Sequence, residues 1–261
     1  MRKNAKPAKI YMGVLLVLMY LPILCVVVYS FNESKISTVW SGLSFKWYQQ
    51  LFTDRSMKEA LVNSLVLGIS SCFLSAVIAT LGAIGMSRMK GKTKGIIGYI
   101  TTIPIMIPEI ILGMVFMAFF SLLGMRFGMP TLILAHMTFC IPYIYMLVSA
   151  RLVGMDGSLA EAARDLGATE SRVLFDITLP LIAPAVVSGM LLAFAMSMDD
   201  VIISIFVTGA TMNTLPIKIY TQMKTGVTPE ANALCTLMLV VTVGIVGLAG
   251  LIRRMEIRQK R

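Results

Sequence analysis

The sequence predicts an all-α integral membrane protein with six transmembrane helices, and three observations carry that expectation. Hydrophobic residues make up 57% of the chain and charged residues only 14%, against roughly 25% charged in a soluble domain. The mean hydropathy is +0.83, so a water-facing surface built from this composition would have too few polar groups to cover it. The apolar residues also fall into six runs, each long enough for the roughly 20 residues that cross a hydrocarbon core.

The first run, residues 10–31, follows Arg2, Lys3, Lys6 and Lys9. That start resembles a signal peptide, but the apolar stretch is long and lacks a small-x-small cleavage motif, so it is expected to remain as the first span. Phe45, Trp47, Tyr48, Leu51 and Phe52 then cluster on a short helical stretch suited to lying at the outer interface. Ser56 and Glu59 form a capping-box pattern that would open the second span, residues 61–86. The third span, 96–123, contains Pro104 and Pro108, which should kink it and release backbone carbonyls next to Glu109. Spans four to six are expected at 129–150, 181–207 and 233–252. Inside lipid every backbone polar group must be paired within the segment, so all six read as helices.

The charges set the orientation. Sixteen of the 23 lysines and arginines fall at the N-terminus, in the 88–94 and 151–172 segments, and after residue 252. The remaining seven are Lys35, Lys46, Arg55, Lys58, Arg126, Lys218 and Lys224. The positive-inside rule therefore places both termini in the cytoplasm. The formal charge of +10 is divided among short clusters between apolar runs, the pattern of membrane anchoring rather than of nucleic-acid binding. Cys25, Cys72, Cys140 and Cys235 each lie within an apolar run without a CxxC pair and read as packing residues. The single histidine, His136, reads as a packed or hydrogen-bonded side chain rather than a metal ligand.

Residues 151–180 form the one long cytoplasmic loop. Ser158 and Glu161 make a second capping box opening a helix through Leu166, and Gly167 is placed to end it in a left-handed cap. Thr169 can cap a second helix through Ile177, which should stop near Pro180. A compact helix-turn-helix here is either a docking element or a well-capped solvated loop.

Glu161-Ala162-Ala163, Gly167 and Ile177-x-Leu179-Pro180 stand at the spacing of the "EAA" loop and resemble the permease subunits of ABC importers. The stretches Phe45-Lys-Trp-Tyr48, Ser149-Ala-Arg151, Ser197-Met-Asp-Asp-Val201 and Leu215-Pro-x-Lys-x-Tyr220 are similar to the spermidine/putrescine-type permeases, specifically the second of their two permease subunits. This resemblance covers nearly the whole chain. It implies a single transmembrane domain over residues 1–261 with the type I importer permease fold in a bacterial cytoplasmic membrane. It also implies that the loop is a coupling helix seated in an ATPase subunit. The implied partners are a homologous second permease, an ATPase dimer on the cytoplasmic face and a periplasmic or lipid-anchored substrate-binding protein that docks near the 207–232 loop.

Charges within a span cost about 2.5–3.5 kcal/mol or more, so each is a functional candidate. Glu109 and Asp199 should lie about 20 and about 27 Å along their spans from the cytoplasmic side, in the outer half of the bilayer. Glu109, Asp199 and Asp200 suggest an acidic vestibule for a polycation such as spermidine or putrescine, with Tyr143 offering a cation–π face. The alternative for the two aspartates is structural, capping a helix end or meeting a partner subunit. The sequence has no GxxxxGK[ST] phosphate loop, so ATP and magnesium are expected on the separate ATPase rather than on this chain. It also has no GxSxG, HExxH or Cys/His constellation, and no catalysis is expected. Two other transport readings are a permease for another small cationic or organic solute and an ion-coupled secondary transporter using the three acids.

Overall fold

A computed structural model describes residues 6–34, 39–89, 91–210, 212–224, 226 and 229–259. Of the basic residues used to orient the chain, Arg2, Lys3, Lys35, Lys90, Lys260 and Arg261 lie outside the described residues, as do residues 211, 225, 227 and 228 of the outer loop. Almost everything described is helical. The helices are α1 (Lys6–Tyr29), α2 (Lys46–Thr53), α3 (Arg55–Ser87), α4 (Lys92–Met106), α5 (Glu109–Leu122), α6 (Met129–Val153), α7 (Ser158–Asp165), α8 (Glu170–Arg172), α9 (Leu179–Asp199), α10 (Ile202–Val207), α11 (Leu215–Lys224) and α12 (Pro229–Gln259), with a π-helical segment at Val173–Thr178. Among the described residues, four helices are long and apolar enough to cross a membrane, or five when the bent pair α4–α5 counts as one. The sixth expected span falls on α12, whose described apolar stretch, Pro229–Gly244, is shorter.

The chain forms two compact units. One comprises Met1–Glu59 and Lys218–Leu251, the other Ala60–Ile217 and Ile252–Arg261. In the first unit α1 exposes apolar side chains from Ile10 to Val28, as a lipid-facing helix does. The connection after it is knotted around Asn32, which is fully buried. Its side-chain amide donates to Val39 O at 2.7 Å, its Oδ1 accepts from the Ser41 backbone, and its carbonyl accepts from Trp47 Nε1 at 2.7 Å. These bonds seat α2 with Trp47 and Leu51 inward and Phe45 and Phe52 outward, as its amphipathic pattern predicts. Lys218 reaches Asp54 at 3.5 Å and Ser56.

The second unit is organised on α6 and α9, its most extensive helix pair. Leu132, Ala135, Phe139, Cys140, Ile144 and Val148 bury one face of α6 at helical spacing. Ile182, Gly189, Ala193 and Ser197 answer from α9. The small residues permit close approach, the usual solution where lipid removes the hydrophobic incentive to associate. A Cβ added to Gly189 would lie 3.0 Å from Ile144 Cα.

Several expectations are corrected here. The third span is not one kinked helix: α4 and α5 meet at 102° across Ile107–Pro108. The depth reckoned for Glu109 along a straight helix therefore does not apply, because Glu109 opens a new one. The helix after Thr169 does not stop at Pro180, and Glu170–Asp199 runs continuously. The π-helical turn carries the chain past the proline, with Leu179 N–H donating to Leu174 O, so the missing amide and the bulk of the ring do not break the helix. At its other end the fifth span stops at Asp199, and 202–207 is the separate helix α10. Neither predicted capping box forms. Asp54 accepts from the Ser56 amide at 2.8 Å and Asp156 from the Ser158 amide at 3.0 Å, so an aspartate two residues upstream does the work expected of each serine. Gly167 takes the expected left-handed turn at φ +83°, and Thr169 Oγ1 accepts from the Arg172 amide.

Candidate functional site

The break between α4 and α5, the middle of α6 and the end of α9 converge on one cavity of about 100 Å³ in the second unit. Glu109, Tyr143, Asp199 and Asp200 all line it, with Phe139 and Met196. Four residues expected on one pathway, from three separate stretches of sequence, are thus brought together. Glu109 stands at the first position of α5, where the helix dipole favours an acid. Phe139 and Tyr143 lie about one turn apart on α6.

The two aspartates differ. Asp199, the last residue of α9, is exposed, and among the described residues neither it nor Glu109 has a hydrogen-bonding or cationic partner. Asp200 is 9% exposed and fully engaged. Its Oδ2 accepts from the Ser204 amide at 2.9 Å and the Ser204 hydroxyl at 2.7 Å, and its Oδ1 accepts from the Ile203 amide at 3.2 Å. Asp200 thereby caps α10, the structural alternative for this residue. His136 Nε2 lies 3.4 Å from Asp200 Oδ2. The same nitrogen is 3.0 Å from Ser204 Oγ, and Nδ1 is 2.8 Å from Ser197 Oγ. Since the Ser204 proton goes to Asp200, the serine oxygen accepts from Nε2–H, and Nδ1 accepts from Ser197.

The sequence reading placed His136 as a packed, hydrogen-bonded side chain but did not connect it to the acids. The available signal was spacing: His136 precedes Tyr143 by seven residues, which is two helical turns.

The second candidate element is the 151–180 loop. Glu161, Ala162, Gly167 and Pro180 are exposed, while Ala163, Ile177 and Leu179 are half-buried. The four exposed positions face outward. Ile177 instead lines a groove of about 160 Å³ with Ile84, Leu152, Met155, Leu159 and Val173, which seats α7. Glu170 clamps the loop. It bonds Arg164 Nε at 2.6 Å and Arg88 at 3.1 Å, joining α7 and α8 to the residue after α3. The hydrogen bond from Arg164, reinforced by both guanidinium charges, holds the Glu170 carboxyl below the usual carboxylate range. The Ser158 amide does the same for Asp156. Arg151, at the end of α6, donates to the Leu181 carbonyl at 3.1 Å. Leu166 is 89% exposed at the tip, beside the turn at Gly167.

The family described as "binding-protein-dependent transport system inner membrane component" matches residues 73–255. The chain belongs to this family. Members are transport components rather than enzymes, and the chain is an inner-membrane component of a binding-protein-dependent transport system. Among its relatives, the spermidine/putrescine permease PotC of Haemophilus influenzae is 39% identical over 94% of this chain and 95% of its own length. PotC of Escherichia coli K12 is 38% identical over 94% and 92%. The putrescine permease PotI of the same strain is 41% identical over 90% and 84%. The fold matches a bacterial ABC transporter that imports the acidic polysaccharide alginate, with a TM-score of 0.75, 17% identity and 97% of both chains covered. It also matches the MetNI methionine transporter, with a TM-score of 0.62, 21% identity, and 78% of this chain and 99% of that one covered. These likenesses establish the type I permease fold.

Proposed function

We propose that this permease carries polyamines, spermidine or putrescine, through a pathway that includes the cavity formed by Glu109, Tyr143 and Asp199. The observation that carries the reading is the pair of acids without partners among the described residues in one aromatic-lined cavity, in a chain whose relatives are polyamine permeases. Two unneutralised carboxylates suit a ligand with at least two ammonium groups, and the Tyr143 and Phe139 rings add faces for cation–π contact. Asp200 shapes the cavity wall instead of offering free charge.

On this reading a homologous second permease completes the pathway, and a substrate-binding protein delivers the polyamine at the outer face near the 207–232 loop. Glu161, Ala162, Gly167 and Pro180, backed by Ala163, Ile177 and Leu179, couple the spans to an ATPase dimer that binds ATP and magnesium. Both termini are cytoplasmic. Closure of the ATPase dimer moves α7, and the clamp through Glu170 and the Arg151–Leu181 bond pass that motion to α3, α6 and α9 by alternating access.

The test is Glu109→Gln in the reconstituted complex, with labelled spermidine and putrescine. The apparent KM should rise about tenfold, the loss of one charged contact, with basal ATP hydrolysis unchanged. Unchanged uptake by the glutamine variant would remove the pathway from this cavity.

A further inference from the structure

His136 has no exposed surface, yet it occupies the α6 face that continues into the cavity through Phe139 and Tyr143. Its two nitrogens reach hydroxyls on different elements, Ser197 on α9 and Ser204 on α10, and so bridge the break that follows Asp199. The turn itself is held by Asp200, which gathers the Ile203 and Ser204 amides. A second bond from α6, Thr131 Oγ1 to Val207 O at 2.8 Å, fixes the far end of α10. Among the described residues Asp199 has no side-chain anchor of its own, so its aim depends on the backbone that this knot immobilises.

We propose that His136 is a positioning residue for transport: by pinning Ser197, Ser204 and Asp200 across the α9–α10 break, it holds the Asp199 carboxylate at the cavity beside Glu109. This rests on the polyamine reading above for its functional consequence but not for its structural part.

The test therefore has two arms on the assembled complex in nanodiscs. His136→Phe keeps a planar ring and removes both bonds, and His136→Gln retains a donor and an acceptor. Hydrogen exchange at the Ile203 and Ser204 amides needs no substrate, and it should accelerate clearly in the Phe variant. Uptake of spermidine or putrescine should show KM raised about tenfold in the Phe variant, as expected for a weakened ionic contact. Maximal rate and basal ATP hydrolysis should be retained, and the Gln variant should recover most of the loss. Wild-type exchange and wild-type KM in His136→Phe would overturn the proposal. Should the Phe variant not assemble, Ser204→Ala decides it on the same two readouts, with unchanged values again overturning it. A wild-type complex that moves no polyamine would defeat the substrate reading alone, and the exchange arm would still decide the positioning role.

Discussion

Asp199 and Asp200 are adjacent in sequence and sit in different electrostatic surroundings. Asp200 is buried with two backbone donors, a hydroxyl and an imidazole around it, whereas Asp199 is exposed. Removing the charge of a buried, bonded carboxylate costs on the order of 2–4 kcal/mol, because an amide leaves one acceptor oxygen and turns an NH2 toward the donors the other oxygen served. Asp200→Asn should therefore lower the melting temperature of the purified complex by several degrees. Asp199→Asn should leave melting unchanged and weaken polyamine uptake. A melting curve paired with uptake kinetics checks both, and equal melting losses would contradict the division of roles. This distinction was not legible in the sequence. Two acids at the end of an apolar run look alike, and only the end of α9 between them separates their surroundings. The grouping of Glu109, Tyr143 and Asp199 was legible, because charges in apolar runs are costly enough to be conspicuous.

At the scale of elements, five of the six expected spans were readable from hydropathy among the described residues, and their interruptions less so. Pro104 and Pro108 did mark a discontinuity, and it proved to be a 102° break rather than a kink. Pro180 marked none, because a widened turn just before it accommodates the ring. A proline rule based on α geometry cannot anticipate a π turn, whose extra residue leaves no compositional trace. Packing of α6 on α9 yields a sharper prediction. Gly189→Leu should push the pair apart at Ile144, at a cost of about 1–3 kcal/mol for overpacking. Gly85→Ala, where nothing lies within 4 Å of the added carbon, should be neutral or slightly stabilising. Thermal unfolding of the two variants makes the comparison.

The loop clamp predicts a pH dependence. Glu170 is held below the usual carboxylate range, first by the bond from Arg164. A depressed carboxylate stabilises the fold above its unfolded-state pKa, and that contribution disappears as pH falls through the lower, folded value. Order in α7 should thus be constant at neutral pH, begin to weaken as pH enters the ordinary carboxylate range, and be lost below it. Amide exchange of residues 159–168 against pH reports this, and Glu170→Gln should show the loosened loop already at neutral pH.

For the molecule as a whole, the consequence is dependence on partners. α1 shows apolar side chains on all sides, and Leu166 and Leu159 are exposed at the loop. The chain should co-purify with an ATPase subunit, and Glu161→Lys, which reverses charge on the exposed face of α7, should reduce that recovery without altering membrane insertion. Cysteine labelling from the two sides should find residues near 258 accessible only from the cytoplasm. Recovery of the ATPase undiminished by Glu161→Lys would assign docking elsewhere.

The π turn at Val173–Thr178 also fixes an angular phase. An α-helix advances roughly 100° and 1.5 Å per residue, so one surplus residue in the turn turns the exposed loop around the axis of α9 relative to the half that meets α6. The direction in which Glu161 points therefore depends on a count of residues as well as on the clamp and groove that seat α7. A lineage could re-aim the loop at a differently shaped partner by losing or gaining a single residue there, with every side chain of the lipid-embedded half left as it is.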